Sequence, residues 1–261
     1  MEKLTVVKIG GNVIDDSVRL QEFLEIFGRV AGYKILVHGG GKVATDIGSK
    51  LGIQSNYVNG RRITDAETLE LVTMVYAGTV NKTIVAGLQS IGINAIGLTG
   101  ADGRLLIADK RPVKDIDYGF VGDIKVDGVN STLLDNLLHA GLLPVIAPLT
   151  YSDEGTLLNT NADTIANEIA KAMSAAMEVK LVYCFEQKGV LKDANDPSSL
   201  LNNISKADFD NLTASGAITG GMIPKLENAF AAIASGVKNV IIGQAGELDQ
   251  LLEGAKGTTI S

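Results

Sequence analysis

Lys8 occupies a position where a lysine is costly. It is the penultimate residue of Leu4 to Ile9 (LTVVKI), a short β-branched run that stops at Gly10-Gly11. An ionisable side chain near the end of an apolar strand is expensive to bury unless an anion or a carboxylate partners it; the alternative is a lysine snorkelling at a strand edge. A second glycine cluster, Gly39-Gly40-Gly41, follows Lys34 to His38 (KILVH). Glycines here leave backbone N–H groups free to face an anion, helped by the helix N-terminus that follows. Either cluster alone is also ordinary turn chemistry, but two on neighbouring strands with a lysine inside the first point toward phosphate. Lys225 lies beyond a glycine turn, Thr219-Gly220-Gly221, that runs into a proline-started helix; its alternative is a solvated first-turn lysine. Asp163 begins a helix at Asn159-Thr160-Asn161-Ala162-Asp163, where an acid is often no more than a partner for the helix dipole. Arg61 and Arg62 sit in a loop, where a bidentate guanidinium could hold a carboxylate or simply be solvated.

The elements that must position these residues alternate. Strand Leu4 to Ile9 leads into a helix after Ser17 marked by Leu20, Phe23, Leu24 and Phe27, and strand Lys34 to His38 into one marked by Val43, Ile47 and Leu51 and closed near Gly52. Thr64-Asp65-Ala66-Glu67 reads as a capping box opening a long helical pattern that Gly78 could divide. Further strands are predicted at Ala95 to Leu98, Leu105 to Ala108, Leu143 to Ala147, Lys180 to Phe185 and Asn239 to Ile242. Helices are predicted around Thr132 to His139, Ala162 to Met173 and Pro224 to Ala234, and a β-rich insert over Asp102 to Asp127. Such alternation argues for a mainly parallel sheet with helices on both faces, whose ligands gather at the carboxyl ends of the strands.

Composition sets limits on what those sites meet. The 261 residues carry a net charge of −7 and a pI near 4.9, which argues against a general nucleic-acid or anionic-membrane binder. An anionic substrate must therefore find a local basic site. No apolar run in the sequence approaches the roughly 18 residues of a membrane span, one cysteine makes no internal disulfide, and the start MEKLTVVKIGG has no secretory pattern; a cytoplasmic protein is expected. Thirty glycines, about 11% against a usual 7% or so, call for many tight turns or for backbone lying close to a ligand.

Several sharper motifs fail. No G-x-x-x-x-G-K-[ST] string is present. Gly39-x-Gly41-x-x-Ala44 matches a permissive dinucleotide fingerprint, but no acid stands about 20 residues on, where VNGRR is found. That leaves a dinucleotide-dependent oxidoreductase as a lower alternative. His38-Gly39-Gly40-Gly41 echoes an esterase oxyanion loop without any G-x-S-x-G elbow, so His38 reads as a strand-end residue. Two histidines and one cysteine are too few for the usual zinc site, and no metal ligand is assigned.

Five spaced motifs, VVKIGGN at Val6 to Asn12, VHGGGK at Val37 to Lys42, NGRRIT at Asn59 to Thr64, LLNTNAD at Leu157 to Asp163 and GGMIPKLENA at Gly220 to Ala229, resemble the amino-acid kinase family, and within it the N-acetyl-L-glutamate kinases. The resemblance covers nearly the whole chain in the family's order. It implies an α/β/α sandwich around a central, mostly parallel eight-stranded sheet, with an N-terminal lobe of about residues 1–160 for the acylglutamate and a C-terminal lobe of about 161–261 for ATP. It implies ATP-dependent phosphorylation of the γ-carboxylate of N-acetyl-L-glutamate in arginine biosynthesis, or of another N-acyl-glutamate such as N-succinyl-L-glutamate. It also implies that Lys8 and Lys225 flank the transferring phosphoryl group while Asp163 holds both lysines. Gly10 and Gly11 would then contact the nucleotide phosphates, Gly40 and Gly41 the acyl-amino acid, Arg62 its α-carboxylate, and Asn159 would bind nearby. Mg²⁺ is expected to ride on ATP. A non-catalytic amino-acid sensor on this fold should have lost Lys8, Lys225 or Asp163, and all three are present.

The chain departs from the family where relatives commonly read L-T-D-V-x-G-V-L. Here Cys184 to Leu191 reads CFEQKGVL, with Glu186 in place of the aspartate. Arginine-inhibited members resemble this core with an added N-terminal helix that builds hexamers; a chain beginning directly before strand one leads to the expectation of a homodimer without arginine feedback.

Overall fold

The structure, a computed structural model, describes the 261 residues except 59, 194–195, 197 and 219–221. Eight strands among the described residues form one sheet. From one edge to the other these are Asn203–Ile204, Thr258–Ile260, Asn239–Gln244, Glu178–Phe185, Lys3–Ile9, Tyr33–His38, Leu143–Ile146 and Ala95–Leu98. Every neighbouring pair is parallel except Asn239–Gln244 with Thr258–Ile260. The first strand is thus central and pairs with Glu178–Phe185 on one side and Tyr33–His38 on the other.

The alternation of a strand decides which helix each side chain meets, because successive residues point to opposite faces. Leu4 and Val6 join the cluster formed with helix Ala162–Met173, while Val7 and Ile9 join the cluster on the other face, with helices Ser17–Arg29 and Asn81–Ser90. Both faces of the strand are covered, so it reads as a largely apolar run that Lys8 interrupts near its end. By parity Lys8 shares the face of Leu4 and Val6, toward helix Ala162–Met173. In Tyr33–His38 the same rule sends Leu36 and His38 to the opposite face, toward Asn81–Ser90.

The long helical pattern after Thr64 is continuous from Ala66 to Ser90, with wide π turns over Met74–Val80 where the sequence predicts a break at Gly78. Its cap is Asp65, whose carboxylate accepts from the Thr68 N–H at 2.8 Å; Thr64 is instead fully buried and takes no part in a capping box. At 25 residues this helix is long and apolar enough to cross a membrane, which a scan for unbroken apolar runs overlooks. Its apolar side is occupied by the core: Leu71, Val72, Val75, Tyr76, Val80, Ile84 and Leu88 are all buried. The β-rich insert is also larger than its sequence signal, since Leu106–Lys110 and Gly122–Val129 join Leu149–Tyr151 and Leu157–Asn159 in a second sheet. That sheet delivers Asn159 to the start of helix Ala162–Met173.

Asn161 caps that helix. Its side chain accepts from the N–H groups of Asp163 at 2.7 Å and Thr164 at 3.4 Å, satisfying donors that no turn of helix reaches. Replacing it, Asn161→Ala, is expected to cost about 1 kcal/mol, read as a lowered urea midpoint with unchanged slope.

Candidate active site

Lys8 and Asp163 meet as the strand parity requires. The Lys8 ammonium lies 2.7 Å from the Asp163 carboxylate in an ion pair largely shielded from water. The cap on Asn161 fixes the first turn of the helix from which Asp163 projects, and the Tyr183 hydroxyl donates to the Asp163 carbonyl at 3.2 Å. Six of the residues singled out in the sequence, Lys8, Gly40, Gly41, Arg62, Asn159 and Asp163, line one open cleft of about 240 Å³. Gly10 borders it, since a side chain there would meet the Lys8 ammonium at 3.5 Å. Lys225 is not among the residues that line this cleft; its ammonium and that of Lys8 both face the ring of Phe185. Burial lowers the Lys225 pKa, and the field of Asp163 opposes that shift. Asp163 thus touches Lys8 and reaches Lys225 through its field. Asn59, Thr219, Gly220 and Gly221 lie outside the described residues.

Arg62 is 6% exposed. Its guanidinium donates to the Gly41 carbonyl at 2.7 Å, to Thr45 Oγ1 at 3.0 Å and to the Ser55 hydroxyl, and stacks over the Tyr57 ring at 4.8 Å. Among the described residues it has no carboxylate partner. A desolvated cation held only by neutral acceptors still calls for an anion, and the guanidinium retains N–H groups to donate to one. The cleft is therefore lined by an acid-paired lysine and by a buried arginine that, among the described residues, has no acid. This is the local basic site that the chain's acidic balance made necessary.

The two glycine turns are tied together. The Gly39 N–H donates to the Ile9 carbonyl at 2.9 Å, and Lys42 pairs with Asp15 at 3.2 Å. Gly40 has φ +153°, and a side chain on it would come within 2.9 Å of the Tyr76 ring, so both conformation and space demand glycine. Tyr76 stands on the π-turn segment, a helical irregularity that recurs at functional sites.

His38 does more than end a strand. Asn81 donates its amide to both the Val145 carbonyl at 3.0 Å and His38 Nε2 at 3.1 Å, which leaves His38 Nδ1 to carry the proton and donate to the Gly39 carbonyl at 2.7 Å. In a trans peptide the N–H points opposite the C=O. Holding the Gly39 carbonyl therefore aims the Gly40 N–H away from His38. Sequence reasoning missed this role, along with Tyr76, Asn81 and Phe185, because a histidine 43 residues from its partner carries no local signal. The lone Cys184 is buried with its thiol pushed up to about 12, which makes it unreactive.

The profile of the Amino acid kinase family matches residues 3–244, and the chain belongs to that family. A relative from Parabacteroides distasonis, 56% identical over 260 residues and all of both chains, is named acetylglutamate kinase. One from Bacteroides fragilis, 59% identical over 92% of each chain, bears the same name. The crystal structure of smu.665 from Streptococcus mutans superposes with a TM-score of 0.79 at 29% identity, covering 99% of this chain and 98% of that one.

Burial holds His38 neutral, lowering its pKa to about 4, whereas in the unfolded chain it titrates near 6.5. Between those values the unfolded chain binds a proton that the folded protein refuses. The stability is complete above pH 6.5 and is lost as pH falls toward 4, by an amount on the order of 3 kcal/mol. Urea midpoints measured from pH 7 to pH 4.5 should fall more steeply for the native protein than for His38→Gln.

Proposed function

We propose that the protein transfers the γ-phosphoryl group of ATP to the γ-carboxylate of N-acetyl-L-glutamate, giving N-acetyl-L-glutamyl 5-phosphate and ADP, the activity its relatives are named for. The observation that carries this reading is the pairing, in one cleft, of a buried arginine without an acid and an acid-paired lysine at the strand end. The first suits the α-carboxylate of the acyl-amino acid and the second the phosphoryl group.

The acceptor needs no general base, because a glutamate-type carboxylate with pKa about 4.3 is already ionised at neutral pH. The barrier lies in bringing two anions together and in the charge on the equatorial oxygens of the transferring group. Lys8 and Lys225 serve that charge from its two sides, and Asp163 holds the Lys8 ammonium at the cleft floor. The amides of Gly10 and Gly11 face the nucleotide phosphates. Gly40, oriented through His38, and Gly41 face the acyl-amino acid beside Asn159. In this reading the N-terminal lobe, about residues 1–160, takes the acylglutamate and the C-terminal lobe, about 161–261, takes ATP. Mg²⁺ would be carried by the ATP phosphates, where it would supply further charge neutralisation. The chain's own contribution in this reading is lysine and amide.

With ATP, Mg²⁺ and N-acetyl-L-glutamate, hydroxylamine should trap an acyl hydroxamate in step with ADP release; a purified, folded protein that forms none would overturn the assignment. Lys8→Ala should lower kcat by roughly 10²–10³-fold, the scale of one lost transition-state donor. Arg62→Lys should act mainly on the KM for N-acetyl-L-glutamate, since a point charge does not reproduce the planar fork. Thermal melts run on both variants separate these effects from misfolding.

A further inference from the structure

Phe185 closes strand Glu178–Phe185, in the stretch CFEQKGVL where this chain leaves the family pattern. The alternation that places Val179, Leu181 and Tyr183 in the cluster around helix Ala162–Met173 sets Phe185 on the same face of the sheet. Lys8, across the parallel ladder from Tyr183, shares that face. The ring centroid lies 3.9 Å from the Lys225 ammonium nitrogen and 5.4 Å from that of Lys8. Behind it the Tyr183 ring stacks at 6.1 Å, which limits how far the phenyl ring can turn.

One ring therefore faces both ammonium groups. Two like charges this close repel, and their positions need compensation before any phosphate arrives. Lys8 has the Asp163 carboxylate at 2.7 Å. Lys225, which Asp163 reaches only through its field, has in addition the negative face of an aromatic ring, at a distance well inside the roughly 6 Å over which a cation is attracted to it. Lys225 is carried in the first turn of helix Met222–Ala234, away from the sheet, so a contact that holds the long side chain at the strand end has a definite task. A four-carbon stem left without it would sample many rotamers.

We propose that Phe185 is a positioning residue: its ring face holds the Lys225 ammonium beside Lys8 in the empty enzyme, so that the two cations required for phosphoryl transfer are assembled before ATP binds. The proposal rests on the kinase reading above and adds to it a residue that touches no reacting atom. When nucleotide enters, the ammonium exchanges the ring for phosphate oxygens, a short movement in place of a search.

The test is to replace Phe185 by phenylalanines carrying one, two and three fluorines, which preserve the shape of the ring while draining electron density from its face. The kcat for hydroxamate formation is expected to fall stepwise with fluorine number, reaching roughly tenfold, the scale of a desolvated cation–π contact. The KM for N-acetyl-L-glutamate and the melting temperature should hardly move. Trinitrophenylation of Lys225 in the absence of nucleotide, quantified by peptide mass spectrometry, should rise in the same order as the ammonium is released. Phe185→Leu should behave like the trifluoro variant, and Phe185→Tyr, which keeps the ring face, should restore most of the activity. Flat kcat and flat labelling across the series, with an active parent enzyme, overturn the proposal. A parent enzyme that forms no hydroxamate overturns the kinase reading, and the positioning role with it.

Discussion

The ion pair between Lys8 and Asp163 is the constraint on which the arrangement of this protein depends. Each group is withdrawn from water, and each would be costly to leave without the other. Lys8 lies near the end of the central strand and Asp163 in the first turn of a helix packed on one of its faces. Their meeting requires the strand register, the face chosen by parity and the start of the helix all to be correct together. The Asn161 cap, the small second sheet that leads into it and the Tyr183 hydroxyl bond are the devices that meet this requirement.

From this pair the rest of the site is built outward in two directions. Toward the edge strand Ala95–Leu98 the glycine loop after His38 lines the cleft. That loop is held from below by the His38–Asn81 bonds, from above by Tyr76, and at its end by Arg62 on the Gly41 carbonyl. Toward the opposite edge the same face of the sheet carries Phe185 and, beyond it, Lys225. A single sheet runs through both halves, four of its strands from residues 3–146 and four from residues 178–260. The central position of the first strand puts Lys8 at the junction. An acidic protein thus concentrates cations at one place by geometry, with its net charge spread elsewhere.

Much of this was legible in the sequence, and the reasons differ from one feature to the next. The strands Ala95 to Leu98 and Leu143 to Ala147 and the helix Ala162 to Met173 announced themselves because a buried strand or an amphipathic helix must repeat its apolar residues at a fixed period. Lys8 was visible because it broke such a run, and Gly40 because it stands in a glycine cluster directly after a strand. The cap at Asp65 was misplaced by one residue, since Thr64 and Asp65 are equally able to accept from a helix N-terminus and only tertiary packing, which buries Thr64, chooses between them. The π turns over Met74–Val80 had no signal either: Gly78 looks like a breaker in isolation, but the core contacts of Tyr76 and Val80 hold the helix through it.

By itself, the sequence determined the alternation of strands and helices, the residues able to bear phosphate and carboxylate, and the family to which their order belongs. These are properties of local composition and spacing. Tertiary structure alone decided which of those residues face one another: that Asp163 pairs with Lys8, that Arg62 is buried against neutral acceptors, that His38 bonds the Gly39 carbonyl and Asn81, and that one phenyl ring stands against two lysines. Such pairings depend on strand order and on the face to which each side chain is sent, and both are settled only when distant segments compete for the same core.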